Sequence, residues 1–250
     1  MPGTIRFSFL VVRRDGRAVN RPAARIWIAT SLRKKAYQQA RATLERIGVP
    51  GKSEAAAGHA TEIYVARLRA PRTGRYWVLA EPIGASPPIQ AVGNLTVAAR
   101  SAEPAVGAQA IPSRTPTLAT EPEVAKLTTA TPPDRALLRY SVAQTLRARK
   151  PFVLVFATPK LCLSRTCGPV VDVVDAVRRK FSRSDIRFIH VEIYEANDPT
   201  RGYNRWVRQW RLPSEPWTFL VGRDGRIKSK FEGSVSVAEL TAAVRRHLTA

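Results

Sequence analysis

A chain of 250 residues, 44% of them hydrophobic, has room for one large domain or two ordinary ones, and that hydrophobic share excludes a wholly disordered protein. The formal charge is +22, with 17 basic and 5 acidic residues in residues 1–100 alone. The basic residues form no long block. This favours a solvated basic surface that attracts anionic cell-surface or membrane-surface groups over a dedicated nucleic-acid groove.

The sequence predicts no transmembrane segment, because no stretch approaches the roughly 18 apolar residues that a membrane-spanning helix needs. The apolar run at residues 7–12 contains Ser8, is too short for the core of a signal peptide and is followed by no small-residue cleavage site. As printed, the chain is expected to be soluble and unexported, unless the sequence starts after a leader.

Short apolar runs separated by turn residues fill residues 1–100. Asp15-Gly16 is a tight-turn pair after the first run, and the runs at 61–68 and 75–82 flank "RAPRTG" as the strands of a hairpin would. Strands of this length and spacing predict an all-β sandwich with antiparallel strands, loosely similar to immunoglobulin-like modules. Residues 31–48 leave two alternatives open, since their composition favours a helix and their position among strands favours an irregular strand.

Residues 101–133 contain six prolines among many Ala and Thr residues and almost no aromatic residues. Such a segment buries too little apolar area to offset the entropy of ordering it. We predict a linker, which either extends freely or lies along the surface of a domain.

Residues 134–250 show helical and strand patterns in alternation. "FVLVF" has the continuous apolar character of a buried strand, and residues 167–181 place four valines and Phe181 on one helical face, with Asp172, Asp175, Arg178 and Arg179 opposite. Asp224-Gly225 turns a hairpin, and a serine cap opens the last helix. The predicted order is α-β-α-β-α-β-β-α.

This order resembles the thioredoxin superfamily over about residues 136–250, and three local signals carry the resemblance. A strand leads directly into a cysteine-bearing loop, a Gly-Pro follows a cysteine at the start of a helix, and "LPSEPWTFLVGRDGRI" is similar to the stretch around the cis-proline of the TlpA-like branch. The resemblance implies a C-terminal α/β thioredoxin-like fold, with Pro216 as the cis-proline. It also implies work outside the cytoplasm, where disulfides persist.

The cysteine motif departs from the family pattern, since Cys162 and Cys167 are separated by four residues instead of two. By the count to the next strand, Cys167 takes the helix-opening position and Cys162 lies on an extended loop. Five positions along one helix give a rise of about 7.5 Å and a rotation of about 500°. The two cysteines could not bridge from one helix, so a disulfide requires Cys162 to fold back over the helix start. Val155 stands where thioredoxins carry a buried aspartate.

The resemblance implies thiol-disulfide exchange with protein thiols and disulfides through Cys162 and Cys167, without a cofactor. A helix N-terminus and Arg165 lower the pKa of a thiol, and a charged Glu215 would raise it. Pro216, Glu215 and Trp217 would line the substrate groove together with Arg165. Trp206 and Trp210 would either flank this groove or pack as ordinary aromatic residues.

Two other functions stay open. One is a non-catalytic binding or scaffold protein in which the cysteines are structural or inert. The other resembles the Sco-type copper proteins, with Cys162, Cys167 and His190 as ligands, although the cysteine spacing is one residue too long and the histidine lies in a different element. His190 and Glu192 fall on one strand face, where a polar pair or a proton-transfer role would each explain them.

Overall fold

The structure is a computed structural model that describes residues 1–52, 60–161 and 167–249. Contacts divide the chain into two compact units. The first comprises Met1–Arg46 and Glu62–Ser101, and the second comprises Ile47–Thr61 and Ala102–Ala250. Within the described residues, no helix is long and apolar enough to cross a membrane.

The first unit is a six-stranded antiparallel sheet with the strand order β1-β4-β3-β2-β5-β6. Its strands are β1 (Gly3–Phe9), β2 (Ala23–Ala29), β3 (Gln38–Arg46), β4 (Glu62–Ala70), β5 (Gly74–Pro82) and β6 (Ala91–Val97). The antiparallel strands agree with the prediction. The two packed sheets of a sandwich do not, because hydrogen bonds join all six strands into one sheet.

The expected hairpin between β4 and β5 is wrong. β4 already has β1 and β3 as its neighbours, and β5 has β2 and β6, so neither strand has an edge left for the other. The open choice for residues 31–48 is resolved as a strand, β3, which pairs on both sides.

The core of the first unit lies on one face of this sheet. Side chains alternate between the two faces of a strand. Ile26 and Ile28 of β2 are therefore buried, while Arg25, the residue before Ile26, is exposed on the other face. Tyr64, Leu68, Tyr76 and Val78 complete the buried side. We call the opposite side, which carries Arg25, the outer face.

The second unit contains a mixed four-stranded sheet with the order β10-β9-β7-β8. Its strands are β7 (Phe152–Phe156), β8 (Arg187–Val191), β9 (Trp217–Val221) and β10 (Ile227–Glu232). β7 is parallel to β8 and antiparallel to β9. β9 and β10 form the expected hairpin, in which Gly225 adopts a positive φ of 73°.

Five α-helices accompany this sheet in the described residues: α1 (Val124–Leu127), α2 (Val142–Arg147), α3 (Cys167–Lys180), α4 (Arg205–Gln209) and α5 (Val237–Leu248). Short 3-10 turns lie at Arg135–Leu138, Glu195–Asn197 and Pro199–Arg201. Ser236 caps α5, and Glu239 completes the capping box. From residue 135 onward the order of helices and strands agrees with the prediction.

Apolar layers cover both faces of the mixed sheet. Val153 and Val155 of β7 contribute to one layer together with the buried faces of α3 and α5. Phe152, Leu154 and Phe156 contribute to the other layer, where Trp210 packs after α4. This burial on both faces explains why β7 is continuously apolar instead of alternating.

Residues 102–133 are grouped with the second unit and lie along it, which is the second of the two alternatives left open for this segment. The amides of Gly107 and Ala110 donate to carbonyl groups of the β9–β10 hairpin, and Ser113 accepts a hydrogen bond from the indole of Trp210 at 2.9 Å. Hydrogen bonds to the backbone and to Ser and Thr side chains hold this segment in place. The apolar count used for the linker prediction does not measure them.

The prediction that Asp175 lies on the exposed polar face of α3 is wrong, because its side chain is only 1% exposed. Its carboxylate accepts from Lys52 Nζ at 2.9 Å, from Arg178 Nη2 at 2.7 Å and from Arg179 Nε at 2.8 Å. Lys52 also lies 3.2 Å from the Asp134 carboxylate. We call these five residues the Asp175 cluster.

Candidate functional site

Cys167 is the first residue of α3 and is fully buried, at 0% exposure, within the apolar layer that α3 forms on the sheet. The first turn of α3 contains no acidic side chain and its last turn contains three basic ones. The positive end of the helix dipole is directed at Cys167 without a competing carboxylate from the first turn, which favours the thiolate, whereas full burial in an apolar layer disfavours it. Cys162 and Arg165 lie outside the described residues.

The Glu215–Pro216 peptide bond is cis, in agreement with the sequence prediction. Pro216 is buried, and its carbonyl oxygen accepts from the amide of Gly233 at 2.9 Å. Trp217 pairs with Phe156 in the antiparallel register of β9 and β7. Pro216 therefore lies at the end of β7 from which the chain leads towards Cys167.

Two tyrosines that sequence reasoning missed surround this place. The rings of Tyr194 and Tyr203 stack with centroids 5.9 Å apart, and the Tyr194 hydroxyl donates to Glu215 Oε1 at 3.3 Å. Burial raises the pKa of Tyr203, and the negative charges of Glu215 and of the Cys167 thiolate raise it further. Tyr203 is therefore near enough to both groups to respond to their charge.

The candidate site thus comprises residues from three separate parts of the chain: Cys167, Glu215 with Pro216, and Tyr194 with Tyr203. A thiol at a helix start, a carboxylate and two phenol groups can exchange protons among themselves, while the buried sulfur reaches a partner only after the residues that cover it move. A backbone bridge between Tyr194 and Tyr203 brings the two tyrosines together across a short loop. The sequence spacing of the two residues does not predict this bridge.

The three tryptophans of the second unit differ in their surroundings. Trp217 is 3% exposed and stacks on Phe219, with Lys230 Nζ 5.7 Å from its ring centroid. Trp210 is fully buried in the core. Trp206 is half-buried, donates to the Arg114 carbonyl at 3.1 Å and lines a cavity of about 870 Å³.

His190 and Glu192 each have their own partner. A ring nitrogen of His190, Nε2, lies 2.9 Å from the Ala157 carbonyl oxygen, and Glu192 accepts from the Thr129 hydroxyl at 2.8 Å. Both side chains are at least 95% buried and border a cavity of about 870 Å³ that Trp206 and Asn204 also line. Their separate hydrogen bonds support a role in packing β8 more than a shared proton-transfer role.

Within the part of the chain that the structure describes, no three His, Cys, Asp or Glu side chains converge as metal ligands would. Of the ligand set considered for copper, Cys167 and His190 are described and Cys162 is not. His190 has one ring nitrogen committed to the backbone, which leaves Nδ1 for any other contact.

Comparison with protein-family models gives no match, and comparison with curated proteins gives none either.

Proposed function

We propose that the second unit carries out thiol-disulfide exchange with protein partners, using Cys167 as the nucleophile and Cys162 as the resolving thiol. The observation that carries the proposal is that Cys167 opens α3, while the cis Glu215–Pro216 bond lies at the end of β7 from which the chain leads towards that helix. The mixed sheet order β10-β9-β7-β8, with helices packed on it, supports the resemblance to the thioredoxin superfamily on which this assignment draws.

The reaction runs in two steps that conserve atoms and electrons. The Cys167 thiolate attacks one sulfur of a partner disulfide, forms a mixed disulfide and expels the other partner sulfur as a thiolate, which takes up a proton. The Cys162 thiol then loses its proton and attacks Cys167 Sγ, which forms the intramolecular disulfide and releases the partner's second thiol. Two electrons pass from this chain to the partner, and the reverse sequence oxidises a partner dithiol.

Two electrostatic influences act on Cys167 in opposite directions. The start of α3 favours the thiolate, since the positive end of a helix dipole stabilises a negative charge. The Glu215 carboxylate disfavours it, and its charge reaches the same region because it also raises the pKa of Tyr203. Tyr194 moderates this effect by donating a hydrogen bond to Glu215 Oε1.

A non-catalytic scaffold is the second candidate, and the burial of Cys167 favours it. A sulfur with no exposed surface reacts with a partner only after its covering residues move aside. In the scaffold alternative, the pair is a permanent disulfide or two inert thiols, and the second unit serves to bind a partner.

Equilibration in glutathione redox buffers distinguishes the two candidates. We expect the Cys162–Cys167 pair to change between dithiol and disulfide within the range that glutathione buffers, as measured by alkylation and mass spectrometry of the intact chain. A pair that stays oxidised far below that range is a structural disulfide, and a pair that stays reduced throughout is inert. Either result would contradict the proposed exchange activity and support the scaffold.

A further inference from the structure

The outer face of the six-stranded sheet carries a row of arginines. Arg6 of β1 lies directly opposite Arg67 of β4, and Arg25 of β2 lies directly opposite Arg41 of β3. In the antiparallel β3–β4 register Thr43 faces Val65. Two residues further along this pair of strands, Arg41 of β3 is level with Arg67 of β4. Because neighbouring strands are about 4.8 Å apart, four guanidinium-bearing residues lie within about 15 Å of one another along this row.

Such a row is costly for the isolated protein. Like charges directly opposite on neighbouring strands destabilise a sheet. Glu81 is level with the row and lies 3.9 Å from Arg25, whose side chain remains 51% exposed. Arg41 and Arg67 are also exposed. The row is therefore suited to an anionic partner that offsets the repulsion.

An apolar groove adjoins the arginine row on the same face. Trp27 and Leu79 face each other in the β2–β5 register, each two residues along its strand from Arg25 and Glu81, and Leu79 faces Val92 of β6. Together with Trp77 these residues line a cavity of about 690 Å³. Its rim holds Leu32, Tyr37 and Val92, which are 63%, 45% and 57% exposed.

The most exposed of these, Leu32, stands immediately before Arg33, Lys34 and Lys35. All four residues are exposed and precede β3, so an aliphatic side chain and three cations project from one short connection. Leu32 has the largest exposed fraction of the large hydrophobic side chains in the described residues. An exposed leucine beside several cations gains free energy only where apolar and anionic groups are both within reach.

We propose that the outer face of the first unit docks onto an anionic lipid bilayer, with the arginine row on the headgroups and Leu32 and Val92 at the boundary with the acyl chains. Charge complementarity supports an anionic partner, since each Lys or Arg near an anionic membrane contributes on the order of 1 kcal/mol. The aliphatic side chains of Leu32 and Val92 favour a bilayer over a nucleic acid or an acidic glycan. A nucleic acid or an acidic glycan offers flat faces for aromatic rings but leaves Leu32 and Val92 in water.

Co-sedimentation of the full chain with vesicles tests this proposal. We expect binding to vesicles that contain about a third phosphatidylglycerol in phosphatidylcholine, little binding to phosphatidylcholine alone, and release at high salt. The double variant Arg41→Ser/Arg67→Ser should bind at least about tenfold more weakly. Leu32→Ser/Val92→Ser should lose about tenfold as well, because it removes the apolar part of the contact without changing the charge.

The matched control is Arg245→Ser/Arg246→Ser, which removes the same charge from exposed positions on α5. It should retain binding within about twofold if the outer face is the docking surface. Equal losses in both arginine variants would overturn the proposal in favour of a diffuse basic surface. Unchanged binding in the Leu32→Ser/Val92→Ser variant, or binding of a single-stranded oligonucleotide or a polyuronate but not of vesicles, would overturn the bilayer as the partner. Circular dichroism of each variant establishes that the loss is not due to unfolding.

Discussion

The Cys162→Ser variant is expected to accumulate a mixed disulfide with protein partners, while Cys167→Ser accumulates little or none. In the first variant Cys167 still attacks a partner disulfide from the start of α3, but the thiol that would release the partner is gone. In the second variant the remaining thiol lacks the helix position that favours its thiolate. Non-reducing electrophoresis of each variant after incubation with a disulfide-bonded protein measures the trapped species.

The two serine variants control for each other, because each retains one thiol and differs only in its position. Dithiothreitol should dissolve the trapped species, which identifies the bond as a disulfide. If Cys167→Ser traps partners as well as Cys162→Ser does, or better, the two roles are reversed. If neither variant traps a partner, the buried position of Cys167 prevents exchange.

Asp175→Asn is expected to lower the free energy of unfolding by about 3 kcal/mol. The substitution leaves Lys52 and Arg178, two cations that Asp175 now holds at hydrogen-bond distance, beside a neutral amide. The carboxylate itself is 1% exposed, but Arg179 is 65% exposed, so water screens one side of the cluster and the lower end of the range for buried pairs applies. Urea unfolding followed by circular dichroism measures the difference.

The same cluster sets an acid dependence of stability. Burial alone would raise the pKa of Asp175, but hydrogen bonds from Lys52 and Arg178 hold it well below its usual range. A depressed folded-state pKa contributes stability above the unfolded pKa, near pH 4, and that contribution is lost as the pH falls towards the folded value. Burial and the neighbouring carboxylate raise the pKa of Asp134, so its contribution runs in the opposite direction and is lost as the pH rises.

Asp185→Asn is the matched control for Asp175→Asn. Asp185 also pairs with two cations, Lys150 at 3.2 Å and Arg223 at 2.7 Å, but its side chain is 37% exposed. Pairs of this kind contribute about 1 kcal/mol or less, so the control should lose much less stability. Equal losses in the two variants would contradict the buried role of Asp175, as would an acid profile that Asp175→Asn leaves unchanged.

The order of elements in the second unit was predictable because each element has a strong local signal. β7 is a continuous apolar run, α3 has valines at helical spacing and α5 has its own cap. The position of Asp175 was not predictable, because its burial depends on Lys52, which is 123 residues away in sequence. Helical spacing identifies a face of a helix but not the partner that covers it.

The strands of the first unit were predictable, but their pairing was not. β4 and β5 follow each other through a short turn but are not neighbours in the sheet. β4 pairs with β1 and β3, and β5 pairs with β2 and β6. β3 was ambiguous because its outer-face residues, such as Gln39 and Arg41, are common in helices, and only the burial of Ala42 between its neighbours shows the sheet period. Local composition does not determine which strands become neighbours.

For the candidate site, the sequence identified Cys167 and the cis Pro216 through local motifs. Tyr194 and Tyr203 were missed because their contact with Glu215 requires the loop after β8 to lie beside the start of β9. Trp217 is buried on a strand that is covered on both faces, and its role in a substrate groove stays a prediction. Local motifs are enough to predict a cysteine at a helix start and a cis proline. The residues packed around them depend on long-range contacts, which local motifs do not reveal.

Turnover of a protein disulfide is the most direct test of the central claim that this chain exchanges disulfides through Cys167. We expect catalytic amounts of the wild-type chain to accelerate the reduction of insulin disulfides by dithiothreitol, and the Cys167→Ser variant to return the rate to that of dithiothreitol alone. A wild-type rate no faster than dithiothreitol alone, or an unchanged rate in Cys167→Ser, would contradict the account.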